Sequence, residues 1–370
     1  GTLRTNLSGS NLTSIGSLTA AGTVLSGVND IYALTTAGSI SGGTLRIVSA
    51  GTLAGGSFNI GALVLNGFGV AAPQIGSDLV FGNLALGQPS FGEGLVYVGA
   101  GATSGVTTVS GAVSARNLTK FGNGTLRLTG NLSNLTGNIA VNSGTVQFGG
   151  ANAGPAAASL SLNDLGTLDL GGASIGVGGL GGTQGIILGG GTLLLLGTQT
   201  TTFSGVIGDG ATPTKLVKMS GGNLTLTPQT AGSVMSGNNT FSGGVDLYNG
   251  TLLVQNPYGL GGYNNTTPGL VSLYGGVLDL RTNAGGVNGT SIFGNPSTLG
   301  LNIAVLNSAT INADRISANT GNAIQIGSLS LGNTTLGITA ANSYRLRVAG
   351  TTTIQGSASL FNPTSGTPQA

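Results

Sequence analysis

One tripeptide, Gly-Thr-Leu or a close variant of it, recurs along the chain and is usually followed by alternating apolar and polar residues. Such alternation is typical of a β-strand, whose successive side chains point to opposite faces. We therefore interpret each copy as the start of a strand. The copies begin at Gly43, Gly124, Gly144, Gly166, Gly191, Gly222, Gly250 and Gly276.

The spacing of these copies predicts what the strands build. From Gly124 onward the intervals lie between 20 residues, from Gly124 to Gly144, and 31 residues, from Gly191 to Gly222. Such an interval matches one irregular coil of a solenoid. Glycine and asparagine between the strands suit the corners, because both tolerate positive φ. The sequence thus predicts an all-β fold, an elongated, right-handed parallel β-solenoid, or β-helix.

The same alternation predicts the core. The apolar positions next to each strand start should face inward, whereas residues such as Thr125, Arg127 and Thr129 should face outward. We expect stacked parallel strands over 116–340. The predicted core residues are Leu126, Leu128, Leu168, Leu170, Leu224, Leu226, Leu252, Val254, Leu278 and Leu280.

Composition excludes other classes of chain. Charged residues make up 5 % of the sequence, against about 25 % in ordinary soluble proteins, and glycine occurs 72 times. Disordered chains combine low hydrophobicity with high net charge, whereas here 39 % of residues are hydrophobic and the net charge is +2. The four leucines at 193–196 break the glycine period of collagen. Glycine and β-branched residues disfavour helices, so we expect almost none.

The pattern varies along the chain and predicts three regions. Residues 1–115 should form N-terminal coils, with a loop-rich insertion near 73–99, where Pro73, Pro89 and Glu93 interrupt the alternation. Residues 116–355 should form the regular solenoid. Residues 356–370 carry turn formers without a strand pattern and should form a cap or linker.

Two stretches of the regular region, 118–148 and 203–254, resemble the autotransporter-associated β-strand repeat. That family pattern is roughly Leu-x-Lys-x-Gly-x-Gly-Thr-Leu-x-Leu, followed by Asn-x-Phe/Tyr-x-Gly-Gly and a second Gly-Thr-Leu. Leu135 departs from it, because the family favours an aromatic residue there. The matching runs are Leu118-Thr119-Lys120-Phe121-Gly122-Asn123-Gly124-Thr125-Leu126-Arg127-Leu128, Leu216-Val217-Lys218-Met219-Ser220-Gly221-Gly222-Asn223-Leu224-Thr225-Leu226 and Asn239-Thr240-Phe241-Ser242-Gly243-Gly244.

The resemblance to autotransporter passengers implies a function outside the cell. Passengers of this family are exported across two membranes and displayed outside the cell, usually through a C-terminal β-barrel. The resemblance therefore implies an extracellular or surface location on a Gram-negative-type bacterium.

Few residues are suited to catalysis. The chain has no histidine and no cysteine, which excludes Ser-His-Asp triads, thiolate nucleophiles and the common zinc sites. A glycosidase-like carboxylate pair remains open. Asp164 and Asp169 lie five residues apart, and Asp169 and Asp279 share the outward position of a Gly-x-Leu-Asp-Leu pattern, which we interpret as a solvated face. Glu93, the sole glutamate, is expected in the insertion without a catalytic role.

Other candidate residues favour structural interpretations. Lys120 and Lys218 occupy matching repeat positions, which predicts a role at a coil corner. Gly208-Asp209-Gly210 is a single copy of a calcium-loop element, and one copy cannot build a ladder of sites. We predict no catalytic, cofactor-binding or metal-binding residues and no cofactor. Asn-x-Ser/Thr triplets include those that begin at Asn6, Asn11, Asn117, Asn131, Asn134 and Asn223, and chance accounts for most of them in so polar a chain.

These observations lead to one leading function and one alternative. The leading hypothesis is a non-catalytic extracellular structural or adhesive solenoid that contacts neighbouring chains, matrix polysaccharide or a host surface. The alternative is a polysaccharide-active β-helix enzyme, a lyase or glycosidase, which three or more acids clustered around one Arg or Lys would favour. The 11 basic and 9 acidic residues nearly balance, so we expect no nucleic-acid partner. No apolar run is long enough to span a membrane as a helix.

Self-association is a further expectation. Gly1-Thr2-Leu3-Arg4 repeats the strand-start pattern at the beginning of the chain, and Tyr344–Val348 still alternates near its end. Solenoids without polar terminal repeats associate through their ends. The sequence predicts a head-to-tail fibre, with an excerpt from a longer passenger as the equally supported alternative.

Overall fold

The computed structural model consists of short β-strands joined by turns. It describes residues 106–149, 154–227, 238–283 and 288–357 without a break, together with the strand 359–361 and separate strands and short segments between 15 and 99. In the stacked sheets, neighbouring strands come from successive coils and pair in parallel, apart from two short antiparallel pairs in the N-terminal unit. The fold is therefore a parallel β-solenoid, as the sequence predicts.

The alternation of side chains produces the core. In Thr125–Leu128, for example, Leu126 and Leu128 are buried, whereas Thr125 is half-buried and Arg127 is exposed. Parallel pairing then aligns Leu126 with Val146 and Leu128 with Phe148 of the next coil. All ten predicted core residues are confirmed, since each is at most 3 % exposed.

The chain divides into two compact units. The N-terminal unit comprises residues 1–169 and 175–177. Its first sheet contains Ile15–Leu18, Ala33–Thr36, Ile60–Leu65, Glu93–Val98, Asn117–Phe121, Asn138–Val141 and Ser159–Leu162. Its second sheet contains Thr23–Val24, Ile40–Ser41, Gln74–Ile75, Val106–Val109, Thr125–Leu128, Thr145–Phe148 and Thr167–Asp169. Its third sheet contains Val28–Ile31, Thr44–Ile47, Asp78–Asn83, Val113–Ser114 and the antiparallel Ser90–Phe91, and a hairpin pairs Thr52–Leu53 with Gly56–Ser57.

The C-terminal unit comprises residues 170–174 and 178–370. Its first sheet contains Gly191–Leu195, Thr214–Lys218, Val245–Leu247, Val271–Leu273, Ile303–Val305, Leu329–Leu331 and Thr352–Ile354. Its second sheet contains Thr201–Phe203, Asn223–Leu226, Thr251–Val254, Val277–Arg281, Ala309–Asp314, Thr335–Ala340 and Ser359–Phe361. Its third sheet contains Thr290–Ile292, Ala323–Ile326 and Arg345–Val348. Among the other described strands, Ile186–Leu188 pairs with Val206–Ile207. The described strands Ser174–Val177 and Gly179–Gly181 lie close to the division between the units.

Helix is nearly absent from the described residues. Two short 3-10 segments occur there, Tyr263–Asn265 and Pro296–Thr298. The second is capped by Asn295, whose side chain accepts a hydrogen bond from the backbone N–H of Ser297 at 2.8 Å. Both segments lie in long corners of the C-terminal unit, where the coil leaves its strands.

The segment 73–99 differs from the prediction. Four strands, from Gln74–Ile75 to Glu93–Val98, lie in it, so the predicted loop-rich insertion is wrong for its described part; residues 84–89 lie outside the described residues. Glu93–Val98 alternates regularly between half-buried and buried side chains. Pro73 does not prevent pairing, because it directly precedes a strand, where its missing N–H is tolerated.

The boundary predicted between residues 115 and 116 does not coincide with the division between the two compact units, which lies near residue 169. Val106–Val109 pairs in parallel with Thr125–Leu128, so one ladder runs past residue 115 without interruption. Of the predicted cap or linker, 362–370 lies outside the described residues, while Ser359–Phe361 forms a strand that pairs with Thr335–Gly337.

Candidate functional site

Lys120 is a buried cation at a coil corner. It belongs to the strand Asn117–Phe121 and is 0 % exposed. Its ammonium donates hydrogen bonds to three backbone carbonyl oxygens: Gly122 at 2.5 Å, Gly124 at 2.7 Å and Ser143 at 2.7 Å. Burial lowers the pKa of Lys120 to about 8. The side chain therefore fastens two successive corners together and presents no charge to a ligand.

Gly144 completes this corner in the next coil. It has a φ of +66°, and a Cβ atom at this position would overlap the Lys120 ammonium. The Lys and Gly of the repeat are thus matched across coils. Lys218 sits at the equivalent corner of the C-terminal unit, where its ammonium donates to the Ser220 carbonyl at 2.6 Å and burial lowers its pKa. The structural role expected of both lysines agrees with these contacts.

Asp209, of the Gly-Asp-Gly element, has its carboxylate turned to the protein. Oδ1 accepts from the backbone N–H groups of Thr214 at 2.7 Å and Ser242 at 3.0 Å, and Oδ2 accepts from the Ser242 hydroxyl at 2.7 Å. These bonds connect one corner to the same corner of the following coil. Asp209 therefore acts as a clamp between coils.

Asp279 lies in a polar cluster on the outer face of the second sheet of the C-terminal unit. Arg281 donates to it through Nε at 3.0 Å and Nη2 at 2.8 Å, and Asn312 of the next coil donates at 2.7 Å. The cluster continues when Thr339 donates to Asn312 at 2.7 Å. Because these groups cover Asp279, it is only 7 % exposed, so our interpretation of it as a solvated residue is wrong.

The other candidate acids lie on separate elements of the N-terminal unit. Glu93 begins a strand and accepts a hydrogen bond from the Thr119 hydroxyl at 2.8 Å. Asp164 is exposed in a turn with a φ of 47°, whereas Asp169 lies on a strand and accepts from Gln147 at 2.8 Å. Their placement on a turn and on a sheet face gives Asp164 and Asp169 different surroundings.

An ion pair that sequence reasoning missed joins Lys215 to Asp246, whose charged atoms are 2.7 Å apart. Asp246 lies one coil above Val217 on the outward face of the first sheet of the C-terminal unit, and Lys215 lies two residues before Val217. No motif marks either residue. The pairing depends on strand register across an irregular coil, which the sequence leaves open.

The outward strand positions of the second sheet in the N-terminal unit carry mostly polar side chains. One column is Val106, Thr125, Thr145 and Thr167, and its neighbour is Thr108, Arg127, Gln147 and Asp169. Among the described Asn-x-Ser/Thr triplets, Asn131 and Asn134 are exposed, Asn117 accepts from the Asn138 N–H at 2.9 Å, and Asn223 begins a strand; Asn6 and Asn11 lie outside the described residues.

Larger clusters and membrane helices are absent from the part of the chain that the structure describes. There, no three His, Cys, Asp or Glu side chains are grouped so that they could hold a metal ion. None of the described segments is a helix with the length and apolar character needed to cross a bilayer.

Comparison with known proteins gives one informative similarity. A part of 115 residues, 30 % of this chain, is 32 % identical to the Adhesin BmaC autotransporter of Brucella suis biovar 1 (strain 1330). The matched part is 3 % of that protein, so the chain spans a small fraction of this relative. No protein-family model matches the chain. No solved structure matches it either.

Proposed function

We propose that the chain is a passenger-like segment of an autotransporter, displayed outside a Gram-negative-type cell, where it acts as a non-catalytic adhesive surface. The observation that carries this proposal is the similarity to an autotransporter adhesin in a chain that folds as a parallel solenoid. The repeat motifs at 118–148 and 203–254 support the same origin.

The charges of the described residues also support adhesion over catalysis. Asp209 and Asp279 accept hydrogen bonds from backbone or side-chain groups that hold the coils together. Lys120 donates all three of its N–H groups to carbonyl oxygens. Outward positions that remain are rich in threonine, asparagine and serine, whose uncharged polar groups suit contact with polysaccharide or a host surface.

The proposal is tested by surface display. The chain is fused to a translocator barrel, expressed in a non-adherent laboratory Gram-negative strain, and its exposure is verified by protease release. Cells that carry the chain should bind to epithelial monolayers or matrix-coated wells above cells that carry the barrel alone. Equal binding of the two strains, with the chain verified outside, would refute the adhesive function.

The absence of catalysis and the head-to-tail association have separate tests. Release of reducing ends or unsaturated products from polysaccharides, abolished by Asp164→Ala or Glu93→Ala, would replace the adhesin by the alternative enzyme. Head-to-tail association remains a prediction. Electron micrographs of the purified chain should contain filaments with a regular axial repeat, and single particles of uniform length at micromolar concentration would exclude the fibre.

A further inference from the structure

A column of apolar side chains follows one corner of the C-terminal unit. Its members each come directly after a strand of the first sheet, on five successive coils. From the second member onward, the backbone N–H of each donates to the carbonyl of the last strand residue of the preceding coil, at 2.8–3.0 Å. The column is therefore in register. We call it the corner column, and it consists of Leu196, Met219, Tyr248, Tyr274 and Leu306.

The corner column is open to solvent. Leu196, Met219, Tyr248 and Leu306 are 37–50 % exposed. Tyr248 and Tyr274 stack face to face, with ring centroids 4.4 Å apart and planes 3° from parallel. Such a corner does not require apolar side chains, because in the N-terminal unit Asn163 directly follows a strand and its N–H donates to the Val141 carbonyl of the preceding coil at 3.0 Å. Contiguous exposed apolar side chains with a polar surround mark interaction sites.

The flanks of the corner column are polar and electrically neutral. On the strand side, Ser272 lies beside Asp246 and Ala304 lies beside Ser272 on successive coils. The ammonium of Lys215 neutralises Asp246 at 2.7 Å. On the turn side, Asn249 and Asn307 follow column residues and are exposed. Their Oδ1 atoms accept hydrogen bonds from the next residue's N–H, at 2.7 and 2.8 Å. Within the described residues, their amide NH₂ groups make no hydrogen bond and can donate to a ligand.

The size of the column argues against a second copy of the chain as its occupant. Full burial of an aromatic side chain covers about 150–250 Å², so five partly exposed side chains offer roughly 400 Å². A stable protein interface takes about 800 Å² from each partner. The column is also one side chain wide and, at about 4.8 Å per coil, roughly 19 Å long.

A peptide strand is disfavoured for a different reason. Peptides that bind along a sheet use free backbone N–H and C=O groups of an edge strand. At the corner column the backbone N–H groups from Met219 to Leu306 are already bonded to the coil below. The column instead offers apolar side chains and, at its flank, side-chain amides. A ligand that contacts both needs apolar C–H faces for the side chains and hydroxyl groups for the amides.

We infer that the corner column binds a linear, uncharged polysaccharide that runs along the stacked coils. Pyranose C–H faces pack on Leu196, Met219 and Leu306 and on the exposed edges of the tyrosine pair, while hydroxyl groups accept from the flanking asparagine amides. The neutral flanks favour an uncharged polymer over a polyanion. This inference rests on the proposed adhesive function and assigns its binding surface.

The N-terminal unit carries one aromatic pair beside its own buried lysine, where the next two coils continue with Asn142 and Asn163. Phe121 directly follows Lys120, as Met219 follows Lys218, and it is 37 % exposed. Tyr97 lies on the preceding coil and packs edge-to-face on Phe121, with ring centroids 5.4 Å apart. The recurrence shows that an exposed apolar residue beside the buried lysine is a repeated feature of this chain.

The inference is tested with the full chain by affinity electrophoresis through gels that contain xyloglucan, dextran or laminarin. At least one neutral polymer should retard the wild type. Tyr248→Ser combined with Leu306→Ser should weaken that retardation at least tenfold. Leu165→Ser, at an isolated leucine that is 65 % exposed, is the matched control and should leave it unchanged. Circular dichroism verifies that the variants fold.

Three results would overturn the inference: no retardation by any polymer, equal retardation of the double variant and the wild type, or a concentration-dependent dimer that the double variant abolishes. The last result would assign the column to a second copy. The same variants are also displayed on cells. Adhesion that persists without polysaccharide binding would refute this site alone, whereas loss of adhesion in every displayed form would refute the proposed function.

Discussion

Replacement of Gly144 by alanine tests the match between the buried lysine and the glycine of the next coil. A Cβ atom at Gly144 would overlap the Lys120 ammonium and would lie 2.5 Å from the Gly122 oxygen and 2.6 Å from the Gly124 oxygen. The φ of +66° is also unfavourable for alanine. The change should therefore strain the backbone and displace the ammonium from its carbonyl partners.

The expected cost has two parts. Left-handed backbone costs alanine about 1 kcal/mol. Displacement of the ammonium loses at least one hydrogen bond from a charged donor to a buried acceptor, at about 1.5–3 kcal/mol each. We expect Gly144→Ala to lower the local free energy of opening by roughly 2.5–4 kcal/mol. Hydrogen exchange followed by mass spectrometry, on peptides that cover 117–149, measures this opening.

Gly171→Ala is the matched control. Gly171 has a φ of +56°, but no atom lies within 4 Å of a Cβ atom built there. In peptides around its own turn, Gly171→Ala should lower the free energy of opening only by the cost of left-handed backbone, about 1 kcal/mol. In a Lys120→Met background, Gly144→Ala should cost less than in the wild type, because the ammonium is gone. Equal losses in Gly144→Ala and Gly171→Ala, or an unchanged loss in the Lys120→Met background, would refute the reasoning.

Three further predictions concern the pH dependence, a clamp and the core. The folded pKa of Lys120 is about 8, against an ordinary 10.5, so the unfolded chain binds more protons between these values and stability should rise with pH across that window. The rise in the free energy of unfolding is at most about 3 kcal/mol, and unfolding curves of Lys120→Met should lack it. The same rise in the wild type and in Lys120→Met would show that Lys120 is not its source. Asp209→Ala should cost about 2–3 kcal/mol because two backbone N–H groups lose their acceptor, whereas Asp209→Asn keeps Oδ1 and should cost less in urea unfolding; equal costs would argue against the clamp. Leu252→Ala should lower the melting temperature through a loss of about 2–5 kcal/mol at a fully buried site, and a loss below 1 kcal/mol would place Leu252 outside the core.

The parallel strands and their core were predictable because their signal is local. A Gly-Thr-Leu start followed by alternation fixes which side chains of Thr251–Val254 face inward, whatever lies in the next coil. The corner role of Lys120 also had a local signal, since the residue recurs as Lys218 at the same repeat position. Such features are recognised from the residues of a single coil, without knowledge of how that coil stacks on its neighbours.

Contacts between coils could not be predicted, because coil length is irregular. Lys215 pairs with Asp246 across 31 positions of sequence, whereas Arg281 pairs with Asp279 in the same strand. The segment that contains Glu93 was misjudged for a related reason. The Thr119 hydroxyl, which donates to Glu93, lies in the next coil. Glu93 therefore fits within a strand, although its charge suggested an interruption of the strand pattern. The corner column did have a signal, the repeated Val-x-Leu-Tyr ending at Tyr248 and Tyr274.

The coil that begins with Val245 adds one strand to the first sheet and one strand to the second sheet of the C-terminal unit. Val245 stacks on Leu216 and beneath Val271 in the first sheet, and Thr251 stacks on Asn223 and beneath Val277 in the second. Removal of residues 245–270 would therefore place Val271 on Leu216 and Val277 on Asn223, with both sheets still in phase. Whole coils can be lost or duplicated in evolution without a change of core pattern, so such a chain can change its reach in steps of one coil.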